Sequence, residues 1–318
     1  MGSTRSPDSR PQRLFNFLRR YAGWAVIVIS IGIGFAHLRE FHHPAWGFTR
    51  LLQISPSWSE KAIPEIRSTN TFIYREEAGY DGQFYAQLAL RPTLQDPVLD
   101  TAIDIPSMRA RRILTSWIAA GVGMGDAFRT LNGYAWLNVV AWIALGVGLL
   151  RLLPPTSPHH VIAWVGLMFS AGVTASVTYA LTDLPALLLL LGGMFALRNQ
   201  HSKTTAGLLA AACLARETSL LAGLTLWQLP TWRERVLRGA LLVTPVAIWF
   251  AYVSHRFPSA GNSWENFALP FTALVGKLQT SLEAVRADPA DGIAWAGFGA
   301  ILSIVVQAGW LIVRPQVR

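Results

Sequence analysis

Between Arg20 and Arg39 the chain carries no Asp, Glu, Lys or Arg, and most of the residues there are apolar. An α-helix rises about 1.5 Å per residue, so a run of this length nearly crosses the roughly 30 Å hydrocarbon core of a bilayer. Comparable apolar runs recur to the end of the sequence. In lipid every backbone polar group must be satisfied within the segment, which leaves helices as the structure for such runs. The chain is 52% hydrophobic and only 14% charged, which is outside the ordinary range of soluble domains. An all-α, polytopic membrane bundle is therefore expected.

The segmentation predicts about eight transmembrane helices. Residues 1–20 form a basic cytoplasmic tail, and 21–318 form a single transmembrane domain. The first helix is 21–37, preceded by five arginines. No small-residue cleavage site follows it, so it is read as an uncleaved span. Next comes a long outer loop, 38–131, with short juxtamembrane helices at 76–91 and 111–124. Spans follow at 132–152, 161–178 and 183–197. Two short apolar runs joined by Arg216 and Glu217 come next, then 239–253, a polar loop at 255–290, and a last span at 293–313. In this threading Arg151, Arg198, Lys203, Arg233, Arg235, Arg238 and Arg314 share one side. Basic residues favour the cytoplasmic face, so both termini are placed there, in a bacterial inner membrane. Counting 113–125 as a further span would invert the later helices.

The net charge of +9 is thus accounted for by membrane ends, and no nucleic-acid partner is expected. Cys213 is the one cysteine, so no intrachain disulfide or cysteine-based metal cluster can form. No metal site and no cofactor are expected; a divalent cation is not indicated. The "GVGMG" at 121–125 lacks a preceding strand and reads as small residues for close helix packing rather than a nucleotide loop.

Ionisable groups at membrane depth are costly unless paired or hydrated, which draws attention to Asp183 in "YALTDLPALLLLL" and Glu217 in "LARETSLL". Asp183, ahead of Leu184 and Pro185, suits a helix N-terminus as well as a polar cavity. Glu217 suits an ion pair with Arg216 or another cation. Arg216, at the break between two half-helices, suits a phosphate, which a guanidinium binds in a bidentate fork. On a helix, Glu77, Asp81 and Tyr85 of "EEAGYDGQFYAQLAL" share one face, while Tyr80, Phe84 and Leu88 form an apolar one. Such a helix would lie on the membrane with its acids turned to a cavity.

The order of these features resembles the GT-C superfamily of membrane glycosyltransferases, which includes the lipid A aminoarabinose transferase and protein O-mannosyltransferases. "YDGQFYAQLAL" resembles the acidic opening of their first outer loop, with Asp81 and then Tyr85. "RRILTSWIAAGVGMG" is similar to their juxtamembrane helix, although their usual "PPL" is replaced by "ARRILTSW". "ALTDLPALLLLLGGMFALR" and "GLLAAACLARETSLLAGL" resemble the outer-edge acid and the short-helix pair with a basic break.

The resemblance spans roughly residues 20–255 and implies a polyprenyl-phosphate-linked sugar as donor. The acceptor would be a glycan, a lipid or a protein, met at the outer face of the membrane. It implies Asp81 as catalytic base, with Glu77, Tyr85, Asp183, Arg216 and Glu217 around the substrates. One attack on the anomeric carbon implies inversion. A small-molecule or lipid transporter and a non-catalytic subunit of the same fold are the alternatives.

Overall fold

A computed structural model describes residues 10–75, 79–258 and 272–313. The chain is 75% helical, with no strand among the described residues. It divides into two units, Met1–Ala260 and Gly261–Arg318.

In the first unit α1 (Arg10–Arg39) leads into an irregular segment of short helices. These are α2 (Pro56–Ser59), α3 (Pro64–Ser68), α4 (Gly82–Leu90), α5 (Leu99–Ala102), α6 (Pro106–Arg111) and α7 (Leu114–Gly123). The bundle continues with α8 (Ala127–Leu152), α9 (Pro158–Met168), α10 (Ala171–Thr178), α11 (Asp183–Arg198) and α12 (Ser202–Ala215). A 3₁₀ helix, Glu217–Gln228, and α13 (Trp232–Arg256) close it. In the second unit α14 (Thr272–Ala287) packs on α15 (Gly292–Val313).

Four described helical segments are long and apolar enough to cross a membrane: Tyr21–Arg39, Ala127–Leu152, Pro158–Thr178 and Trp232–Arg256. They make this an integral membrane protein. Three elements differ from the sequence expectations. The tail is helical from Arg10 rather than from residue 21. The helix expected at 76–91 begins only at Gly82. The expected polar loop at 255–290 contains α14.

Local chemistry explains the boundaries. Asp126 caps α8 by accepting from the Arg129 N–H at 2.7 Å, and Pro154 and Pro155 bar its continuation. Ser157 caps α9, with Pro158 in its first turn. Thr231 accepts from the Glu234 N–H at 3.2 Å to start α13. The tight α11–α12 turn puts Gln200 in the left-handed region (φ 61°), and the His201 N–H bonds the Ala196 carbonyl at 2.8 Å. The span Pro158–Thr178 is broken at Phe169–Ser170. The Met168 carbonyl at the break accepts the Trp142 indole N–H at 3.1 Å, so a buried backbone group freed by the break is satisfied.

The helices sort into two ends. Asp183 at the start of α11 bonds Arg216 just after α12, so these two helices run antiparallel. Arg198 and Lys203 therefore lie at the opposite end. There Arg238 Nε donates to Ser202 Oγ at 3.0 Å. At the Asp183 end, α13 finishes against the irregular segment: Trp249 Nε1 donates to the Ala110 carbonyl at 2.8 Å, and Arg256 Nε to that of Leu94 at 2.7 Å.

The 12-residue 3₁₀ helix is unusually long. At about 2.0 Å per residue it covers about 24 Å, against about 21 Å for the 14-residue α12 on which it packs. Its looser rise lets fewer residues return the same depth. Side chains three apart eclipse in this geometry, which lines up Leu221, Leu224 and Trp227 as an exposed apolar stripe.

The helix α7 is ten residues long, too short to cross a bilayer, and it packs along α8. A Cβ on Gly123 would stand 2.8 Å from the Thr130 Cα, whereas one on Gly121 would meet nothing within 4 Å. The "GVGMG" stretch thus serves close helix approach at Gly123. We expect Gly123→Ala to destabilise the protein by about 1–3 kcal/mol through overpacking. Gly121→Ala should be neutral or stabilising by up to about 1 kcal/mol. Thermal unfolding of the purified protein in detergent checks the difference.

Candidate functional site

The site is built on α4. The Asp81 carbonyl accepts the Phe84 N–H at 3.0 Å and opens the helix. Its side chain does not cap, which leaves the carboxylate for other partners. Every residue from Gly82 to Ala89 is buried, so α4 has no face lying on a membrane. Two glutamines one turn apart explain this. Gln83 Oε1 accepts the Ser55 N–H at 3.1 Å. Gln87 accepts from Ile63 N and donates to the Ala102 carbonyl, both at 3.0 Å. They fasten the irregular segment around the helix. A Cβ on Gly82 would sit 2.4 Å from the Tyr179 carbonyl oxygen, and Tyr80 stacks on Tyr179 at 4.5 Å. Gly82 therefore serves backbone contact between α4 and the α10–α11 turn.

Three bonded groups of charged and polar side chains follow one another from Asp81, linked through the backbone. Asp81 Oδ2 accepts from Arg109 Nη1. The same guanidinium grips Asp104 in a fork of 3.0 and 2.7 Å. One turn after Asp81, the Tyr85 hydroxyl accepts from Arg112 Nη1 at 3.0 Å. Arg112 also forks onto Glu217 at 2.8 and 2.6 Å. Next to Glu217, Arg216 Nη1 donates to Asp183 Oδ2 at 3.1 Å. Asp183 is the first residue of α11 and is no cap. As an acid in the first turn it also suits the positive end of the helix dipole.

The arginines divide into two kinds. The Arg109 and Arg112 side chains are 8% and 10% exposed, whereas Arg216 is 32% exposed. Burial alone would favour the neutral form of Arg109 and Arg112. Their hydrogen bonds to Asp104 and Glu217, with Tyr85 close to both, outweigh it and hold each pKa above the ordinary arginine value. These two guanidiniums, with each nitrogen bonded, form a buried floor. Above it, Asp81, Asp183 and Glu217 keep 33%, 43% and 33% of their side-chain surface. Arg216 uses one donor, and Asp81 Oδ1 and the other nitrogens of Arg216 face no bonded partner among the described residues.

Behind these groups sits a polar seam in the core. Tyr134 is fully buried and within electrostatic range of Tyr85, Asp81 and Asp183. Thr115 lies beside it, yet neither hydroxyl reaches a partner with hydrogen-bond geometry. The Asn138 amide nitrogen and the Thr182 hydroxyl are likewise buried and unpartnered. Orphan buried donors of this kind are normally met by ordered water.

Five of the six residues singled out from sequence, Asp81, Tyr85, Asp183, Arg216 and Glu217, belong to these three groups. Glu77 lies outside the described residues. The pairing differs from the simplest expectation, because Glu217 pairs with Arg112 and leaves Arg216 to Asp183. Arg109, Arg112 and Asp104 were not anticipated. Their signal was present in "MRARRILTSW", a cluster of three arginines amid the acids of 38–131. Among the described residues no group of three His, Cys, Asp or Glu could hold a metal ion. Compared with known proteins, the chain matches no family model, no curated protein and no solved structure.

A second latch fixes the irregular segment. Arg91 bonds both Glu65 and Asp96 at 2.7 Å, and Arg256 of α13 pairs with Asp100 at 3.2 Å. Burial would raise the Glu65 pKa, but the Arg91 hydrogen bond, aided by its charge, holds it below the ordinary glutamate value. A carboxylate with a depressed folded pKa adds stability above its unfolded pKa and loses it as pH falls through the folded one. Hydrogen-exchange protection factors in residues 60–105 should therefore hold from neutral pH down to the glutamate range. They should fall below that range, and Arg91→Gln should remove the step.

The two kinds of arginine call for opposite mutational outcomes. Arg112→Met strands Glu217 and the Tyr85 hydroxyl and should cost on the order of 3 kcal/mol. Arg216→Met breaks one half-exposed pair and should cost less than about 1 kcal/mol. Thermal melts of both variants check this.

Proposed function

We propose that the protein is a GT-C-like glycosyltransferase that moves a sugar from a polyprenyl-phosphate donor to an acceptor hydroxyl at the outer face of a membrane. One observation carries the reading. Asp81, Tyr85, Glu217, Arg216 and Asp183 fall in three bonded groups joined through α4 and the Arg216–Glu217 step, and the Asp81, Glu217, Arg216 and Asp183 side chains all stay partly exposed. The basic residues Arg151, Arg198, Lys203 and Arg238 belong to the end opposite Asp183. By the positive-inside rule that opposite end is cytoplasmic, which puts the carboxylates outside. In this reading the three shorter segments, Asp183–Arg198, Ser202–Ala215 and Glu217–Gln228, and the last helix also count towards eight spans in a GT-C-like layout.

The chemistry follows from the free atoms. Arg109 fixes one oxygen of Asp81, leaving the other to take the proton of the acceptor hydroxyl as that oxygen attacks the anomeric carbon. The leaving phosphate is already ionised and needs charge rather than a proton. Arg216, with one donor engaged, supplies a guanidinium fork for it. Asp183 holds Arg216 in place, and Arg112 ties Tyr85 of α4 to Glu217. Direct displacement inverts the anomeric centre.

The test is turnover by the purified protein with a polyprenyl-phosphate sugar, read as release of free lipid phosphate. Asp81→Asn should lower the rate on the order of 100- to 10,000-fold with donor binding kept, and Arg216→Ala should weaken donor binding. Near-normal turnover by Asp81→Asn would remove Asp81 as base. A transporter or a non-catalytic subunit would release no lipid phosphate at all.

A further inference from the structure

A second site borders the end of α10, at Val177 and Thr178. A cavity of about 180 Å³ opens between the spans Tyr21–Arg39, Ala127–Leu152 and Pro158–Thr178. Gly34, Phe41, Trp142, Phe169, Val177 and Thr178 are among its lining residues. The wall is overwhelmingly apolar, and the one indole N–H in it is already spent on the Met168 carbonyl. Ile33 on its rim is 63% exposed. In a membrane protein such an opening between spans faces hydrocarbon.

Against Phe41 of the cavity wall packs a cation that pairs with no carboxylate among the described residues. Arg50 of the 3₁₀ turn Thr49–Leu52 has its guanidinium carbon 5.4 Å from the centroids of Phe41 and Phe72 and 6.0 Å from that of Tyr74. Phe41 is itself part of the cavity wall. Arg50 Nη1 donates to the Glu40 carbonyl at 3.1 Å, and its Nε–H is buried with no partner. No carboxylate pairs with it among the described residues, whereas Arg91, Arg109 and Arg112 of this segment each have one or more; Arg111, over the Phe250 ring, shares the buried unpartnered Nε. Gln53 Nε2 reaches the Thr178 carbonyl at 3.5 Å, so the turn that carries Arg50 rests on the cavity wall at a second point.

An aromatic cage holds a guanidinium in place without neutralising it. A buried N–H left over beside it calls for an acceptor, and an anion satisfies both needs. We propose that the cavity and Arg50 together form a site for a phosphate-bearing lipid, its hydrocarbon chain between α1 and α8–α10 and its phosphate on Arg50. Basic residues at the mouth of pockets between spans are a recurrent way of holding anionic lipid heads. The site does not depend on the glycosyltransferase reading, since it shares no side chain with the ionic groups of Asp81.

The full-length protein in phosphatidylcholine nanodiscs, doped with phosphatidic acid carrying a diazirine in its acyl chain, tests this. After irradiation the adducts should map to the cavity-lining residues of α1, α9 and α10. Arg50→Gln should lower that labelling about fivefold, and Arg50→Lys should retain most of it. Thr174→Trp, at an exposed position on the cavity rim, should block the chain without touching Arg50, and it carries the test should Arg50→Gln not fold. Millimolar inorganic phosphate should not compete. Adducts spread evenly over the lipid-facing helices, labelling unchanged in the folded variants, or displacement by inorganic phosphate alone would overturn the proposal.

Discussion

Two positive charges buried at one end of the bundle organise most of what surrounds them. Moving a guanidinium out of water costs several kcal/mol unless it is paired and fully hydrogen-bonded. Arg109 and Arg112 are paired, with every guanidinium nitrogen bonded, by drawing partners from distant parts of the chain. Asp81 lies 28 residues from Arg109, and Glu217 lies 105 residues from Arg112. Satisfying them fastens α4, α6 and the start of the 3₁₀ helix to one another. The same need leaves the carboxylates pinned by one edge and open at the other. In the proposed reading, the carboxylate of Asp81, pinned by one oxygen, serves as the base, and Arg216, with one donor engaged, serves as the anion site. Chemistry and architecture share the same bonds here.

The bundle tolerates breaks only where the freed backbone is answered. Trp142 covers the carbonyl at the α9–α10 break. At Arg216 the chain turns extended, with φ −152° and ψ 117°, yet its N–H still reaches the Ala212 carbonyl at 2.7 Å. Both breaks fall where interrupted helices are tolerated in membranes, buried against protein. The second also sends the neighbouring Arg216 and Glu217 to different partners, Asp183 and Arg112. An unbroken helix would turn neighbouring residues about 100° apart around its axis. The extended residue lets them diverge further.

Much of the fold was legible in the sequence because apolar runs and basic ends report directly on helices and their direction. The capping residues Asp126, Ser157 and Thr231 were there to be read as well. The ionisable residues Asp183 and Arg216 stood out because they are costly in apolar company, and they do meet, across 33 residues. What could not be read was pairing. Nothing local to "ARRILTSW" says that Arg112 belongs to Glu217 rather than to a lipid head. The burial of α4 was also hidden: "YDGQFYAQLAL" has an amphipathic rhythm on paper, but Gln83 and Gln87 are partners for backbone groups far along the chain, not a solvated face. One global clue went beyond pattern reading. Between residues 39 and 131 ten basic and ten acidic side chains cancel, so the net +9 arises elsewhere. A charge-neutral segment this rich in charge signals internal pairing.

The most direct measurement is an experimental structure of the protein in a lipid bilayer with a polyprenyl phosphate bound. The account predicts phosphate density within hydrogen-bond distance of Arg216, facing the free oxygen of Asp81, with Arg109 and Arg112 still on their present partners. Phosphate density at the basic end, near Arg198 and Lys203, with Asp81 closed off from it, would contradict the account.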